Sequence, residues 1–379
     1  MEEQKRRTWA EVSLTNLRDN YHALRELLPP GCKFMGMVKS DAYGHGAVPV
    51  SRKLQKLGAD YLGVACIDEA IELREGGIDM PILLLGGTAP EELPTLIRYR
   101  LAQTVFDLET ARRFSEGAKQ LGERLTIHVK VDTGMTRLGF YCDEETAGKA
   151  AEQIASVCAL ENLDAEGIFT HFADSDGDEG YTLLQMTRFL TVLDKLSERG
   201  CKFAIRHAAN SAATLLYPFS HLDMVRPGLA LYGHYPTEDM KDLCSLSPVL
   251  ELRSKITAIR DVPKGTFVSY GRMCALSRDS RLAVVPIGYG DGYFRSLSNR
   301  FSVGLRGNRA PIVGRVCMDM CMVDITDLPQ VVLGEEALVY SRNEAEGPTV
   351  EEGAALSDTI SYELLCALSK RIPRLYQDE

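Results

Sequence analysis

Hydrophobic positions recur along this chain in two periods, and the change from one to the other divides it. An opening stretch, Thr8-Trp9-Ala10-Glu11-Val12-Ser13-Leu14, alternates as a strand does. Leu17, Tyr21, Leu24 and Leu28 then fall at helical spacing until Pro29-Pro30 stops them. From there short apolar runs near 34–38, 61–67, 81–86, 102–106, 125–131, 165–171, 203–207 and 222–226 alternate with segments of helical period. Those segments lie near 47–57, 68–75, 89–98, 109–121, 144–158, 181–198 and 210–216. Eight short apolar strands separated by helices predict an α/β fold with a parallel sheet, and eight is the count of a closed (β/α)8, TIM-like barrel. A doubly wound open sheet is the competitor. No Gly-x-Gly-x-x-Gly follows the first of these strands, which weakens its dinucleotide-binding form.

Around Leu246-Ser247-Pro248 the rhythm changes. Val249 to Ile259 alternates as one long strand, and Leu282 to Ile287, Ala310 to Gly314, Met318 to Ile325 and Glu336 to Tyr340 continue the series between Gly and Pro punctuation. A mainly β C-terminal domain is therefore expected over 247–379, after a barrel over 13–246.

Composition narrows the function. The 379 residues are 45% hydrophobic and 25% charged, as in an ordinary globular protein with room for a barrel and a second domain. The net charge of −10, from 43 Lys plus Arg against 53 Asp plus Glu, argues against a nucleic-acid partner. No apolar run reaches the ~18 residues of a membrane span, and no h-region follows Lys5-Arg6-Arg7, so neither membrane nor export is expected. The ten cysteines form no CxxC and have no His-rich partner motif, so reduced thiols in the cytoplasm, and no metal site, are expected.

Candidate chemistry collects where strands end, because the loops after the strands of a barrel share one mouth. Lys39 follows the run 34–38 and precedes Gly44-His45-Gly46. An ammonium beside apolar neighbours ionises less readily, which suits a Schiff-base amine, although a lysine at a strand end is commonly just a surface residue. Arg137 lies just past the fifth strand and His171 ends the sixth. His207-Ala208-Ala209-Asn210-Ser211 follows the seventh, and Arg226-Pro227-Gly228-Leu229 the eighth. Loops after the seventh and eighth strands often hold a phosphate; the Ser211 hydroxyl and the backbone of Gly228-Leu229 would serve. Taken singly, His171 could be a satisfied core histidine, Arg226 could pair with Asp223, and Asn210-Ser211 could be an ordinary helix start. Together, a lysine at one strand end and a phosphate cradle at others are what pyridoxal 5'-phosphate requires.

The segment Val38-Lys39-Ser40-Asp41-Ala42-Tyr43-Gly44-His45-Gly46 closely resembles the pyridoxal-phosphate attachment motif of bacterial alanine racemases. The resemblance continues through His128 to Gly139, His207 to Ser211, Arg226-Pro227-Gly228, Ser269-Tyr270-Gly271, Ile287 to Tyr293 and Val316 to Asp319, nearly the whole chain. It implies a homodimer with active sites shared across the interface, residues 1–12 supplying a strand to the C-terminal domain, and racemisation of L- and D-alanine that supplies peptidoglycan. Carried over, Lys39 tethers the cofactor, and Tyr43, Ser211, Gly228, Leu229 and Tyr362 hold its phosphate beside Asn210. Arg226 meets the pyridine nitrogen, Arg137 and the backbone of Met318 face the substrate carboxylate, and Tyr289 narrows the approach. Lys39 and Tyr270 would be the two bases, one on each face. A phenol ionises near ~10, so His171, linked to Arg226, is the expected donor that would make Tyr270 a base. Relatives carry a carbamylated lysine at the position of Lys130; a plain ion pair of Lys130 with Asp132 is the other reading. Gly290 and Phe294 depart from the family pattern, where Ala and Pro are commoner. The alternatives are a serine or broad-specificity racemase, a basic-amino-acid decarboxylase of the same barrel class, and a non-catalytic pyridoxal-phosphate carrier. Tyr270 in Ser-Tyr-Gly and the β domain speak against the last two.

Overall fold

A computed structural model describes residues 7–378 and divides the chain into two compact units. The first six residues of the predicted 1–12 segment, with Lys5-Arg6, lie outside the described residues.

One unit comprises residues 18–42 and 47–246. Numbered along the whole chain, with β1 as Thr8–Ser13, its strands are β2 (Lys33–Met37), β3 (Tyr61–Val64), β4 (Ile82–Leu84), β5 (Ala102–Val105), β6 (Leu125–Asp132), β7 (Phe140–Tyr141), β8 (Leu163–Phe169), β9 (Ile205–His207) and β10 (Met224–Val225). The order β5-β4-β3-β2-β10-β9-β8-β6 closes on itself because β5 also pairs with β6, giving an eight-stranded parallel barrel with β7 as a short extension beside β6. Helices such as Ala47–Leu57, Leu108–Leu121 and Glu179–Glu198 separate the strands, each turning an apolar stripe inward (Val50 and Leu54; Ala111, Phe114 and Ala118). Asp107, Asp178 and Asn210 accept the third N–H of the helices that follow them, which explains where those helices begin.

Of the described residues, the other unit comprises 7–17, 43–46 and 247–378. β1 lies antiparallel to Leu250–Lys255 and parallel to Arg374–Gln377, in a six-stranded sheet completed by Glu336–Tyr340, Ser302–Leu305 and Asn308–Pro311. A second sheet joins Ala258–Val262, Ser280–Val285 and Cys321–Asp324. The single long strand expected over 249–259 is in fact two. Ile256 N–H bonds to Glu335 O and Thr257 N–H to Val284 O, so the chain leaves one sheet for the other at that point. Period-2 patterning is unaffected by a change of partner, which is why the break does not show in the sequence. The helices Val350–Leu356 and Ser361–Ala367 were also not anticipated; Val350, Ala354, Leu364 and Leu365 sit in the core with Val303 and Val339.

Candidate active site

Lys39 stands one residue beyond buried Val38, whose N–H bonds to Gly63 O at 3.0 Å. The residues after it do not form a loose loop, although Gly44 and Gly46 follow closely. Ser40, Asp41, Ala42 and Tyr43 all adopt φ between 52° and 54°, one turn of left-handed helix, with the Ala42 N–H on Val38 O at 2.9 Å. Each non-glycine residue in that region costs ~1–2 kcal/mol, so the turn must be held from outside. Glu69 accepts the Ser40 N–H at 2.6 Å, and Asp41 accepts the Ala47 N–H at 2.7 Å. Beyond it Gly44, at φ 81°, lies so near Leu365 O that a Cβ would stand 2.2 Å away.

Lys130 points inward from β6 in the same register as His128 and Asp132, and all three are buried. Burial first, then Arg137 and Arg226 and least of all Lys39, push the Lys130 ammonium down to about 8, against an opposing pull from Asp132. The Lys130–Asp132 ion pair, one of the two readings of this lysine, does not form among the described residues: Asp132 Oδ1 takes the N–H groups of Gly134 and Thr136 at 3.0 and 2.9 Å. Burial and Arg137 likewise bring Arg226 down to about 9. Nor does Arg226 pair with Asp223, which is taken by Arg206 through contacts of 2.7 and 3.0 Å. Instead Arg226 donates to His207 Nδ1 (3.0 Å), His171 Nδ1 (3.1 Å), Thr170 O (2.9 Å) and Ala208 O (3.0 Å). Its guanidinium and the Lys130 ammonium both face the Phe169 ring, 5.3 and 5.4 Å from the centroid. Burial first, then Arg226, holds both histidines well below their ordinary range, with Arg137, Lys130 and Lys39 adding to the effect at His171, so both are neutral. His171 is thus no isolated core histidine.

At the loops expected to hold a phosphate, Asn210 Oδ1 accepts from Ala213 N and from the Ser175 hydroxyl, as a helix cap. Ser211 Oγ accepts the N–H groups of Gly228 (2.9 Å) and Ala230 (3.3 Å), binding the turn after β10 to the start of that helix. The Gly228 N–H is therefore already used by Ser211.

The remaining candidates belong to the other unit. The rings of Tyr43 and Tyr362 stand 5.8 Å apart. Tyr289 N–H bonds to Cys317 O and Gly290 N–H to Met318 O, and Arg371 clamps Asp291 (2.7 Å) and Asp319 (2.8 Å) around that pair of loops. Ser269 Oγ donates to Arg315 O, which sets Tyr270 beside the same strip. Tyr270 is 70% exposed, and Phe267, Met273 and Met318 are exposed with it. Sequence reasoning missed Glu69, Arg371 and the hydrogen bond of His207 with Arg226. The last could have been found, since His207 ends an apolar strand just as His171 does.

Family models described as alanine racemase, N-terminal domain, and alanine racemase, C-terminal domain, match residues 12–236 and 249–376. An alanine racemase of Desulfovibrio desulfuricans is 45% identical over 98% of this chain and 98% of its own, and one of Methanococcus maripaludis 42% over 97% and 98%. Among solved structures, alanine racemase of Clostridium difficile 630 superposes with a TM-score of 0.94 at 43% identity, covering 99% of this chain and 97% of that one. The Bacillus anthracis alanine racemase with bound L-Ala-P gives 0.90 at 35% identity, covering 98% and 95%.

Proposed function

The chain belongs to the alanine racemase family, and from that premise we propose that it interconverts L- and D-alanine with pyridoxal 5'-phosphate in the cytoplasm, as a homodimer. The observation that carries the reading is the charge of the barrel mouth. Arg137, Arg226 and Lys39 all act on Lys130 there, and Arg137 acts on Arg226, with the carboxylate of Asp132 opposing them at Lys130. Such a donor set fits an anionic, phosphate-bearing cofactor and an amino-acid carboxylate, and would repel a cationic ligand.

When bound, the cofactor supplies an electron sink that acidifies the substrate's α C–H. Lys39 is the tether and exchanges the proton on one face. The Ser211 hydroxyl, whose oxygen accepts from Gly228 and Ala230 and which keeps its own O–H to donate, is suited to the phosphate with the Leu229 backbone, next to the helix cap Asn210; Gly228, Tyr43 and Tyr362 are assigned there by family likeness. Arg226 is suited to the pyridine nitrogen, where a guanidinium can only donate. Because His171 Nδ1 accepts from Arg226, its one proton sits on Nε2, ready to donate to the phenol that serves the second face. That phenol is assigned to Tyr270 of a second copy of the chain. Its 70% exposure, amid exposed Phe267 and Met273, is the surface a partner would cover. Arg137 and the Met318 backbone would take the substrate carboxylate, and Tyr289 would limit side-chain size. An amine held down to about 8 keeps an uncharged fraction at neutral pH. CO2 can add to that amine at Lys130 with loss of a proton, giving an anion that would pair with Arg137. Ten thiols without a disulfide suit a reducing compartment.

The test follows α-deuterium uptake from D2O into L-alanine and L-serine by the purified, cofactor-loaded protein. Rapid exchange into alanine with formation of the D-enantiomer is expected, with serine much slower. No exchange into alanine would sink the reading, and faster exchange into serine would move it to the broader racemases.

A further inference from the structure

Arg226 is buried with no carboxylate against it among the described residues, yet its hydrogen bonds lead to one. His207 accepts from Arg226 through Nδ1, and its Nε2 lies 2.9 Å from His128 Nδ1. His128 Nε2 lies 3.2 Å from Glu166 Oε2, and the Tyr61 hydroxyl bonds to that same oxygen. Glu166 and Tyr61 line a cavity of about 420 Å³ shared with Ile82, Ala102 and Leu125, the residues that begin the barrel strands. The chain of bonds thus runs through the barrel interior, from its amino-terminal end to the residue beside the mouth.

The direction of donation is determined at both ends. A guanidinium has no acceptor, so His207 Nδ1 must be bare and its single proton must be on Nε2. That proton makes His128 Nδ1 the acceptor and puts the His128 proton on Nε2, where it meets a carboxylate that can only accept. Glu166 is held below its ordinary range, first by the His128 hydrogen bond, so it remains ionised, while burial and Glu166 push the Tyr61 hydroxyl up and keep it a donor. No link is frustrated.

The backbone is shaped around this arrangement. In the β6–β8 ladder Ile127 pairs with Ala165 and His128 with Gly167, so Glu166 is the extra residue of a β-bulge, which re-aims its side chain. At Gly167 a Cβ would stand 2.3 Å from His128 Nδ1, so only glycine leaves room for the ring. Phe169 stacks on His207 at 4.7 Å and 13°. We infer that Glu166 and His128 are positioning residues: they polarise His207 towards Arg226 and so hold the guanidinium in its donating orientation, with Glu166 as a remote counter-charge. The link to the reaction rests on the function proposed above; the hydrogen-bond direction does not.

The experiment uses 15N-histidine-labelled protein, observed first without cofactor by long-range 1H–15N correlation. His128 and His207 are expected as neutral rings protonated on Nε2. In Glu166→Leu the His128 Nε2–H should move upfield, and the His207 Nδ1 signal should shift towards that of an unbonded acceptor. Glu166→Gln, which keeps an acceptor oxygen, should stay near the parent. Tyr61→Phe leaves Glu166 to His128 alone and should move the His128 Nε2–H the opposite way, downfield, so the prediction survives if the leucine variant fails to fold. In the loaded enzyme Glu166→Leu should lower kcat roughly tenfold with KM for alanine within about twofold, and Glu166→Gln should restore kcat to within about threefold. A proton on Nδ1 of either ring, a Tyr61→Phe shift of the same sign as the leucine variant, or a glutamine variant as impaired as leucine would overturn the inference. Loss of alanine racemisation by the parent with the predicted tautomers intact would instead overturn the function and leave the hydrogen-bond chain standing.

Discussion

The barrel hides its charge while the β unit leaves its aromatics in the open: Lys130 and Arg226 each keep 4% of their surface exposed, Tyr270 keeps 70% and Met273 62%. Burying cations is costly, and the barrel meets that cost with neutral imidazoles, carbonyls and the Phe169 face, leaving surplus positive potential for an anionic ligand. Exposing tyrosine and methionine is costly in the opposite sense, since apolar surface left in water is burial forgone. The contrast teaches that the barrel mouth settles its buried cations among its own side chains and carbonyls, whereas the strip around Tyr270 leaves in the open the surface that the proposed second copy would cover.

The sharpest break of that comparison is Tyr270→Phe. If the exposed phenol is a base, racemisation should fall roughly 10²–10⁴-fold while the fold and cofactor loading persist; a full rate by polarimetric assay would leave the β unit without a catalytic part. Next comes Lys130. Its pKa is lowered from 10.5 to about 8, so below about pH 8 both folded and unfolded chains are protonated and the whole penalty is present; it is relieved as pH rises towards 10.5. Lys130→Met should therefore stabilise the cofactor-free protein in CO2-free buffer at pH 7 by about 3 kcal/mol, read by urea unfolding. A loss of stability there would mean that a charge, not a burden, has been removed. Met273→Asp places a carboxylate in the exposed strip and should turn a dimer into a monomer in sedimentation; an unchanged mass would place the partner elsewhere. The smallest effect is acid sensitivity. His171 and His207 are lowered well below 6.5, so in acid the unfolded chain takes protons that the barrel refuses. Stability should be greatest above about pH 6.5 and fall by roughly 1 kcal/mol per pH unit per histidine below it. A Tm flat between pH 7 and 5.5 would show those rings protonated or exposed.

Particular residues show how far sequence reading reached. Lys39, Arg226 and Ser211 were found because each ends an apolar run or starts a helix, and local period is enough to place them. Glu166 was missed because a bulge turns it, and a bulge depends on how β6 and β8 pair rather than on either strand alone. Asp223 misled: three residues from Arg226 in the chain, it pairs with Arg206 across the sheet. The loop after Lys39 misled too, since its glycines imply freedom while Glu69 and Asp41 hold four non-glycine residues in a left-handed turn.

The sequence alone determined the eight-strand alternation, the onset of the β unit near Ser247, and the polar residues at the strand ends, because periodicity and turn chemistry act over neighbouring residues. Only the tertiary structure decided the course of the bonds from Arg226 to Glu166, the change of sheet at Ile256-Thr257, and the grouping of Tyr43 to Gly46 with the β unit. Each of these depends on contacts between segments far apart in the chain, and no window of local sequence contains both partners.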